Sequence, residues 1–223
     1  MRHSRDADDD VAKLYFRYGA MNSGKSTGLL QAAFNYQERG QRVLLAKPAV
    51  DTKGDARILS RLGVSSPVDF VIPSGADVVE LFRRHAAGDD PDALLDHVDA
   101  APVACLLVDE AQFLEPRQVD DLLRIAVLEG VPVMAYGIRT DFRTHSFPGS
   151  ARLLEVAHSL EELKTICRCG RKAVFNTRKV VDAATGAGRF VFEGDQVAID
   201  GVEVTYESLC AACYLDESGG RLG

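Results

Sequence analysis

From Lys13 onward, short apolar runs alternate with segments of helical period. The runs are residues 14–18, 43–46, 70–72, 104–108 and 131–136. Each is too short for a helix and apolar at successive positions, which is how a strand buried on both faces reads. Between them, residues 27–39 place Leu29, Leu30, Ala33 and Tyr36 on one face and stop at Gly40. Residues 77–87 carry Val78, Leu81 and Phe82, and residues 118–128 carry Val119, Leu122, Leu123 and Ala126 before Gly130. Spacings of three and four, closed by a glycine, predict amphipathic helices docked on a sheet. Strands alternating with such helices predict an α/β fold, a parallel sheet with helices on both faces.

After Tyr136 the pattern breaks. Residues 137–149 have little periodicity and are too many for a simple connection, which points to a functional loop. Beyond Leu163 the texture changes again: strand-like pieces at 172–178, 190–192 and 197–199 are interrupted by a glycine-containing loop at 183–188 and flanked by cysteine pairs. The expected division is a disordered tail over 1–12, an α/β nucleotide-binding domain over 13–163, a small second domain over 164–216 and a flexible tail over 217–223.

Length and charge narrow the function. A chain of 223 residues suits one domain plus a small second one and is long enough to bury about 70% of its unfolded surface. The formal charge of −7 disfavours a protein held to nucleic acid by bulk charge, so an anionic substrate needs a local, built-in site. Five cysteines are odd in number and too few for a disulfide scaffold. The polar, acidic start offers no signal-peptide core, and no run of 18 apolar residues occurs. A soluble, cytoplasmic protein with reduced thiols and no membrane partner is expected.

That local anion site is written at Gly19, Ala20, Met21, Asn22, Ser23, Gly24, Lys25 and Ser26, which fit GxxxxGK[ST] between a strand and a helix start. The glycines let backbone N–H groups face a phosphate, and the helix N-terminus adds partial positive charge. Lys25 neutralises the β- and γ-phosphates, and the Ser26 hydroxyl can ligate Mg²⁺. A second element, Asp109 and Glu110, closes a buried strand. Such a strand end beside a phosphate loop is where open α/β sheets place ligands. There an Asp holds the metal's hydration shell and the Glu can serve as base. Standing alone, the same pair could be a helix cap with a dipole-matched Glu.

Cys167 and Cys169, then Cys210 and Cys213, form two close pairs in a segment too small for a large core. Two thiolate knuckles suit a closed tetrahedral structural Zn²⁺ site, although the first is CxC where most ribbons have CxxC. The alternative, a redox dithiol at Cys210 and Cys213, lacks a thioredoxin-like start. Cys105, inside an apolar strand, reads as a small core residue.

Taken in order, YGAMNSGKST, DEAQF, YGIRTDFR, CRCGRKA and VAIDGVEVTYESLCAACY resemble the P-loop, zinc-containing type II thymidine kinases over roughly residues 13–214. The resemblance implies a P-loop NTPase (RecA-like) sheet with a small zinc-ribbon-like lasso domain, and transfer of the γ-phosphoryl group of ATP to thymidine, and to deoxyuridine, in pyrimidine salvage. It places Gly19 to Ser26, with Asp109, Glu110, Ala111 and Gln112, at the donor phosphates, and makes Glu110 the general base. Phe113 and Phe142 would enclose the thymine ring, with Met21, Ile138, Asn176, Val197 and Tyr206 as further nucleoside contacts. It also implies a homotetramer inhibited by dTTP. Where relatives carry an Asp-Thr-Arg triplet this chain has Asp51, Thr52 and Lys53, with Arg57 nearby, so either cation could fill that role. By burial statistics alone, aromatics such as Phe113 and Phe142 are more often core; their place in loops after strands favours the ligand reading.

Two other classes remain open from the residues. A recombinase- or motor-type ATPase would use Glu110 to activate water and would show a basic surface, against the acidic composition. A zinc-ribbon binding module would interleave basic and aromatic residues around the cysteines. Arg168, Arg171, Lys172, Arg178 and Lys179 do form a basic patch there, although a solvated face explains such a patch more simply.

Overall fold

The computed structural model of the chain describes residues 11–50, 56–88, 101–181, 188–194 and 204–222. In chain order the elements are β1 (Leu14–Gly19), α1 (Lys25–Gln37), β2 (Arg42–Pro48), β3 (Arg57–Leu59), β4 (Ser65–Pro67), β5 (Phe70–Ile72), α2 (Val78–Ala87) and β6 (Val103–Val108). They continue with α3 (Pro116–Leu128), β7 (Val133–Ile138), α4 (Pro148–Val156), β8 (Ser159–Glu162), β9 (Thr165–Ile166), β10 (Lys172–Ala173), β11 (Phe175–Val181), β12 (Gly188–Val191), β13 (Val204–Leu209) and α5 (Ala211–Glu217).

Six strands form a wholly parallel sheet in the order β5-β2-β6-β7-β1-β8. The two-residue period of each strand sorts its side chains between two cores. Leu14, Phe16, Leu44, Ala46, Leu106, Val108, Val133 and Ala135 face α2, α3 and α4, which dock through Val78, Phe82, Val119, Leu122, Ile125 and Leu153. Val43, Leu45, Cys105, Leu107 and Tyr136 face the other way, under Leu29, Leu30 and Ala33 of α1. Both faces are covered, so the strands read as continuous apolar runs.

Register puts the functional ends together. Gly19 at the end of β1 lies opposite Ile138 at the end of β7, and Val108 at the end of β6 lies opposite Ala135 and Ala46. The phosphate loop, the acidic pair and the loop after β7 therefore leave one edge of the sheet.

Three predicted boundaries move. Helix α1 begins at Lys25, two residues before expected, because Gly24 in the left-handed region (φ 79) leads straight into its first turn. Helix α3 begins at Pro116 behind a capping box in which the Glu115 carboxylate accepts an N–H of the first turn and Gln118 answers the Glu115 N–H. The stretch 137–149 is not all loop: β7 runs to Ile138 and α4 starts at Pro148. Pro-Gly looks like a breaker in sequence, yet proline suits the first position of a helix. Gly149 is also required there, since a Cβ would come within 2.6 Å of the carbonyl oxygens of both Ala111 and Leu114. Strand β8, Ser-Leu-Glu-Glu, was not foreseen, because an edge strand pairs through backbone and tolerates charge.

The cysteine-bearing segment folds as a three-stranded antiparallel sheet, β12-β11-β13, with the β9/β10 hairpin and α5. Its own core is Cys167, Ala173, Leu209, Cys210 and Tyr214, with Phe175 and Phe192 against it. The expected strand at 197–199 and most of the expected loop at 183–188 lie outside the described residues.

Candidate active site

The phosphate loop is shaped by what can sit at its corners. A Cβ on Gly19 would lie 2.6 Å from the Leu163 carbonyl oxygen, so the strand end admits only glycine. Asn22 (φ 66) and Gly24 (φ 79) take left-handed backbone, which turns the chain from β1 into α1. Lys25 is 8% exposed and donates to the Ala20 carbonyl at 3.1 Å, spanning the loop from inside. Burial lowers its pKa, while the charges of Glu110 and Asp109 push the other way.

Asp109 stands at the end of β6, 5% exposed, within hydrogen-bond reach of the Ser26 hydroxyl. Burial first, and the neighbouring Glu110 second, raise its pKa to about 7. Its Oδ1 has no protein partner among the described residues. A buried carboxylate oxygen left open beside a serine hydroxyl is the donor chemistry of a hard divalent cation such as Mg²⁺.

Glu110 follows in left-handed backbone (φ 47), uncommon for a residue with a side chain. A 3₁₀ turn over Ala111–Phe113 then brings Gln112 back beneath it. Gln112 is 1% exposed, donates through Nε2 to Glu110 Oε2, and accepts through Oε1 from the Ile138 N–H at 3.2 Å. Gly137 leaves room for that amide: a Cβ there would sit 2.8 Å from Gln112 Oε1. The glutamate carboxylate is thus tied to the end of β7.

The aromatic side of the edge comes from the turn and the next loop. Phe113 is half-buried, edge-on to Phe147 with ring centres 5.5 Å apart, while Ile138 and Phe142 are buried. Asp141 shapes the loop by accepting from the N–H groups of Arg143 and His145, both at 2.9 Å. From β11, Asn176 accepts from the Met21 N–H at 2.7 Å and donates to the Thr140 carbonyl at 2.8 Å; from β13, the Ser208 hydroxyl donates to the Met21 carbonyl at 2.5 Å. Tyr206, half-buried, lies across from Arg178 in the same strand pair. Val197 and Lys53 lie outside the described residues; Arg57 is exposed on β3 and donates to Ser65 Oγ.

Cys167, Cys169, Cys210 and Cys213 converge with all four sulfur atoms within 4.8 Å of one another. A tetrahedral ion at about 2.3 Å from each sulfur would separate them by about 3.8 Å, so the set can close on a metal with little movement. The CxC spacing does not prevent this: Gly170 (φ 81) turns the chain, with its N–H on the Cys167 carbonyl at 2.8 Å.

A family model described as Thymidine kinase matches residues 12–214. The chain belongs to the thymidine kinase family. Relatives named Thymidine kinase include one from Ruegeria pomeroyi, 46% identical over 210 residues that cover 94% of this chain and 96% of that one. Others come from Chromobacterium violaceum (45%, covering 92% and 98%) and Rhizobium meliloti (47%, covering 90% and 94%).

Within this thymidine kinase fold, two basic residues stand where their sequence surroundings gave no warning. Arg178, which the pattern placed on a solvated basic face, is 6% exposed, with its guanidinium 3.8 Å above the centre of the Phe142 ring. A cation over an aromatic face is favourable and holds both groups in place. Lys47, at the end of β2, is buried and donates to the Arg57 carbonyl at 3.2 Å. The rest of the basic patch is partly neutralised: Arg168 pairs with Glu217, Lys172 with Glu162, and Lys179 lies over Phe190. Such pairing disfavours a nucleic-acid surface. No helix among the described residues is long and apolar enough to cross a membrane.

Proposed function

We propose that the chain phosphorylates thymidine, and deoxyuridine, at the 5′-hydroxyl with ATP, as a pyrimidine salvage kinase. The observation that carries this reading is the meeting, at one sheet edge, of the Lys25–Ser26 phosphate loop and the Asp109–Glu110 pair, with Phe113 and Phe142 in the segments that follow β6 and β7. Phosphoryl transfer asks for positioning and charge neutralisation more than for covalent chemistry.

Gly19 to Ser26, with Asp109, Glu110, Ala111 and Gln112 beside them, would cradle the donor phosphates. The new bond forms between the nucleoside 5′-oxygen and the γ-phosphorus, the bond from that phosphorus to the β–γ bridging oxygen breaks, and ADP leaves with the electron pair. The hydroxyl proton passes to a Glu110 carboxylate oxygen. Ser26 and Asp109 would hold Mg²⁺, which when bound neutralises β- and γ-phosphate oxygens.

Met21, Phe113, Ile138, Phe142, Asn176, Val197 and Tyr206 would enclose the nucleoside. Asn176 can serve there too: an amide has two N–H groups and two lone pairs, and its bonds to Met21 and Thr140 use one of each. The four cysteines would hold structural Zn²⁺ in a lasso domain that starts near residue 164. Homotetramer assembly, dTTP inhibition and a cytoplasmic setting complete the reading.

A phosphoryl-transfer assay with ATP and a nucleoside panel tests it. Product with thymidine and deoxyuridine alone is expected; ATP hydrolysis that ignores the nucleoside would point instead to a P-loop ATPase.

A further inference from the structure

One backbone unit of the phosphate loop is gripped from both ends by the β11/β13 strand pair of the cysteine-bearing segment. Asn176 and Ser208 lie directly opposite each other in the β11/β13 pair, so their side chains share one face. That face meets Met21, 155 residues from Asn176 and 187 from Ser208. Asn176 Oδ1 accepts the Met21 N–H and Ser208 Oγ donates to the Met21 carbonyl. Both side chains are buried and reach a half-buried Met21, so losing either bond leaves a partly shielded backbone group without its partner.

The gripped residue stands at a junction. On its C-terminal side comes Asn22, whose left-handed backbone (φ 66) turns the chain toward α1. Asn176 also donates to Thr140, in the loop that carries Phe142, and the Tyr214 hydroxyl of α5 donates to the Phe142 carbonyl at 2.9 Å. The phosphate loop and the aromatic loop are thereby hung on one rigid strand pair.

We propose that Asn176 and Ser208 are positioning residues that latch the Met21 peptide and so couple the two substrate sites: occupancy of the nucleoside side orders the phosphate loop, and the reverse. This rests on the kinase reading for the identity of the two ligands. Coupling of this kind is reciprocal, so each ligand tightens the other by the same factor.

The test measures affinity for a non-hydrolysable ATP analogue with Mg²⁺, with and without thymidine, in the full chain with its metal. In the natural sequence thymidine is expected to tighten the analogue. Ser208→Ala is expected to weaken the analogue about 5- to 10-fold and to remove most of the thymidine effect, as loss of one hydrogen bond would; the isosteric Asn176→Leu is expected to weaken the analogue by a similar factor in the absence of thymidine. Ser208→Thr, which keeps the hydroxyl, restores both. Metal content and melting temperature identify any variant that fails to fold; Ser208→Ala removes one oxygen and keeps the test alive if Asn176→Leu does not fold. Folded variants with unchanged analogue affinity and an intact thymidine effect overturn the latch, as does a natural protein in which thymidine leaves the analogue affinity unchanged. A natural protein that binds both ligands cooperatively but transfers no phosphate would overturn the kinase reading and leave the latch standing.

Discussion

Glu110 occupies backbone that glutamate rarely visits, and its carboxylate is held by the side-chain amide of Gln112. The left-handed turn (φ 47) costs on the order of 1 kcal/mol, and Gln112 spends both ends of its side chain keeping the result in place. If Glu110 takes the hydroxyl proton, Glu110→Gln lowers kcat by about 10²–10⁴-fold. Gln112→Leu keeps the volume and the carboxylate but frees its rotamer, so a loss of about tenfold in kcat, with a smaller change in KM for ATP, is expected from steady-state kinetics. Unchanged turnover in the leucine variant would show that Glu110 needs no such support. The meeting of Lys25, Asp109 and Glu110 was legible in the sequence because it depends on residue type at fixed spacing beside a strand. The tie that Gln112 makes was not, because its second partner, the Ile138 N–H, is 26 residues away on another strand.

At the scale of elements, α4 shows why a helix can hide. It is short, opens with Pro148 and Gly149, and follows a loop without period, so nothing in the pattern separates it from that loop. Its reason for existing is tertiary: its first turn sits on the carbonyls of Ala111, Gln112 and Leu114, bracing the turn that presents Glu110 and Phe113. Gly149→Ala would push a methyl group into backbone that cannot give way like a flexible side chain. A destabilisation of about 1–3 kcal/mol in urea or thermal unfolding is expected. A neutral result would mean that the helix can slide, and that its bracing role is weak. Strand β8 was hidden for the opposite reason: its edge position lets Glu161 and Glu162 stand in a sheet, with Glu161 answering Arg17 at 2.8 Å.

For the whole molecule, the chain's excess of acid does not oppose phosphate chemistry, because Lys25 is buried at the phosphate loop and Lys47 at the end of β2, beside β6, while much of the basic patch is paired. The cysteine-bearing segment has a core of only a few side chains, two of them ligand candidates. A metal bound by the four thiols would therefore supply folding energy. Chelation is expected to lower the melting temperature and to speed amide exchange across β9 to β11 and across β13 and α5, while β1, β6 and β7 keep their protection. Equal protection of both regions after chelation would show that the thiols hold nothing together.

The sequence alone determined the alternation of strands and helices, the anion site at residues 19–26, the acids that end β6 and the two cysteine pairs. Each is either a local periodicity or a short run of chemistry-bearing residues, and such signals survive in one dimension. Only the tertiary structure decided that Asn176 and Ser208 close on Met21, that Arg178 turns inward onto Phe142, and that Gln112 ties Glu110 to the Ile138 N–H of β7. Asparagine, serine, arginine and glutamine are ordinary surface residues by composition. What makes these four otherwise is burial against partners that strand register brings within hydrogen-bond or stacking distance, and register is a property of the folded sheet.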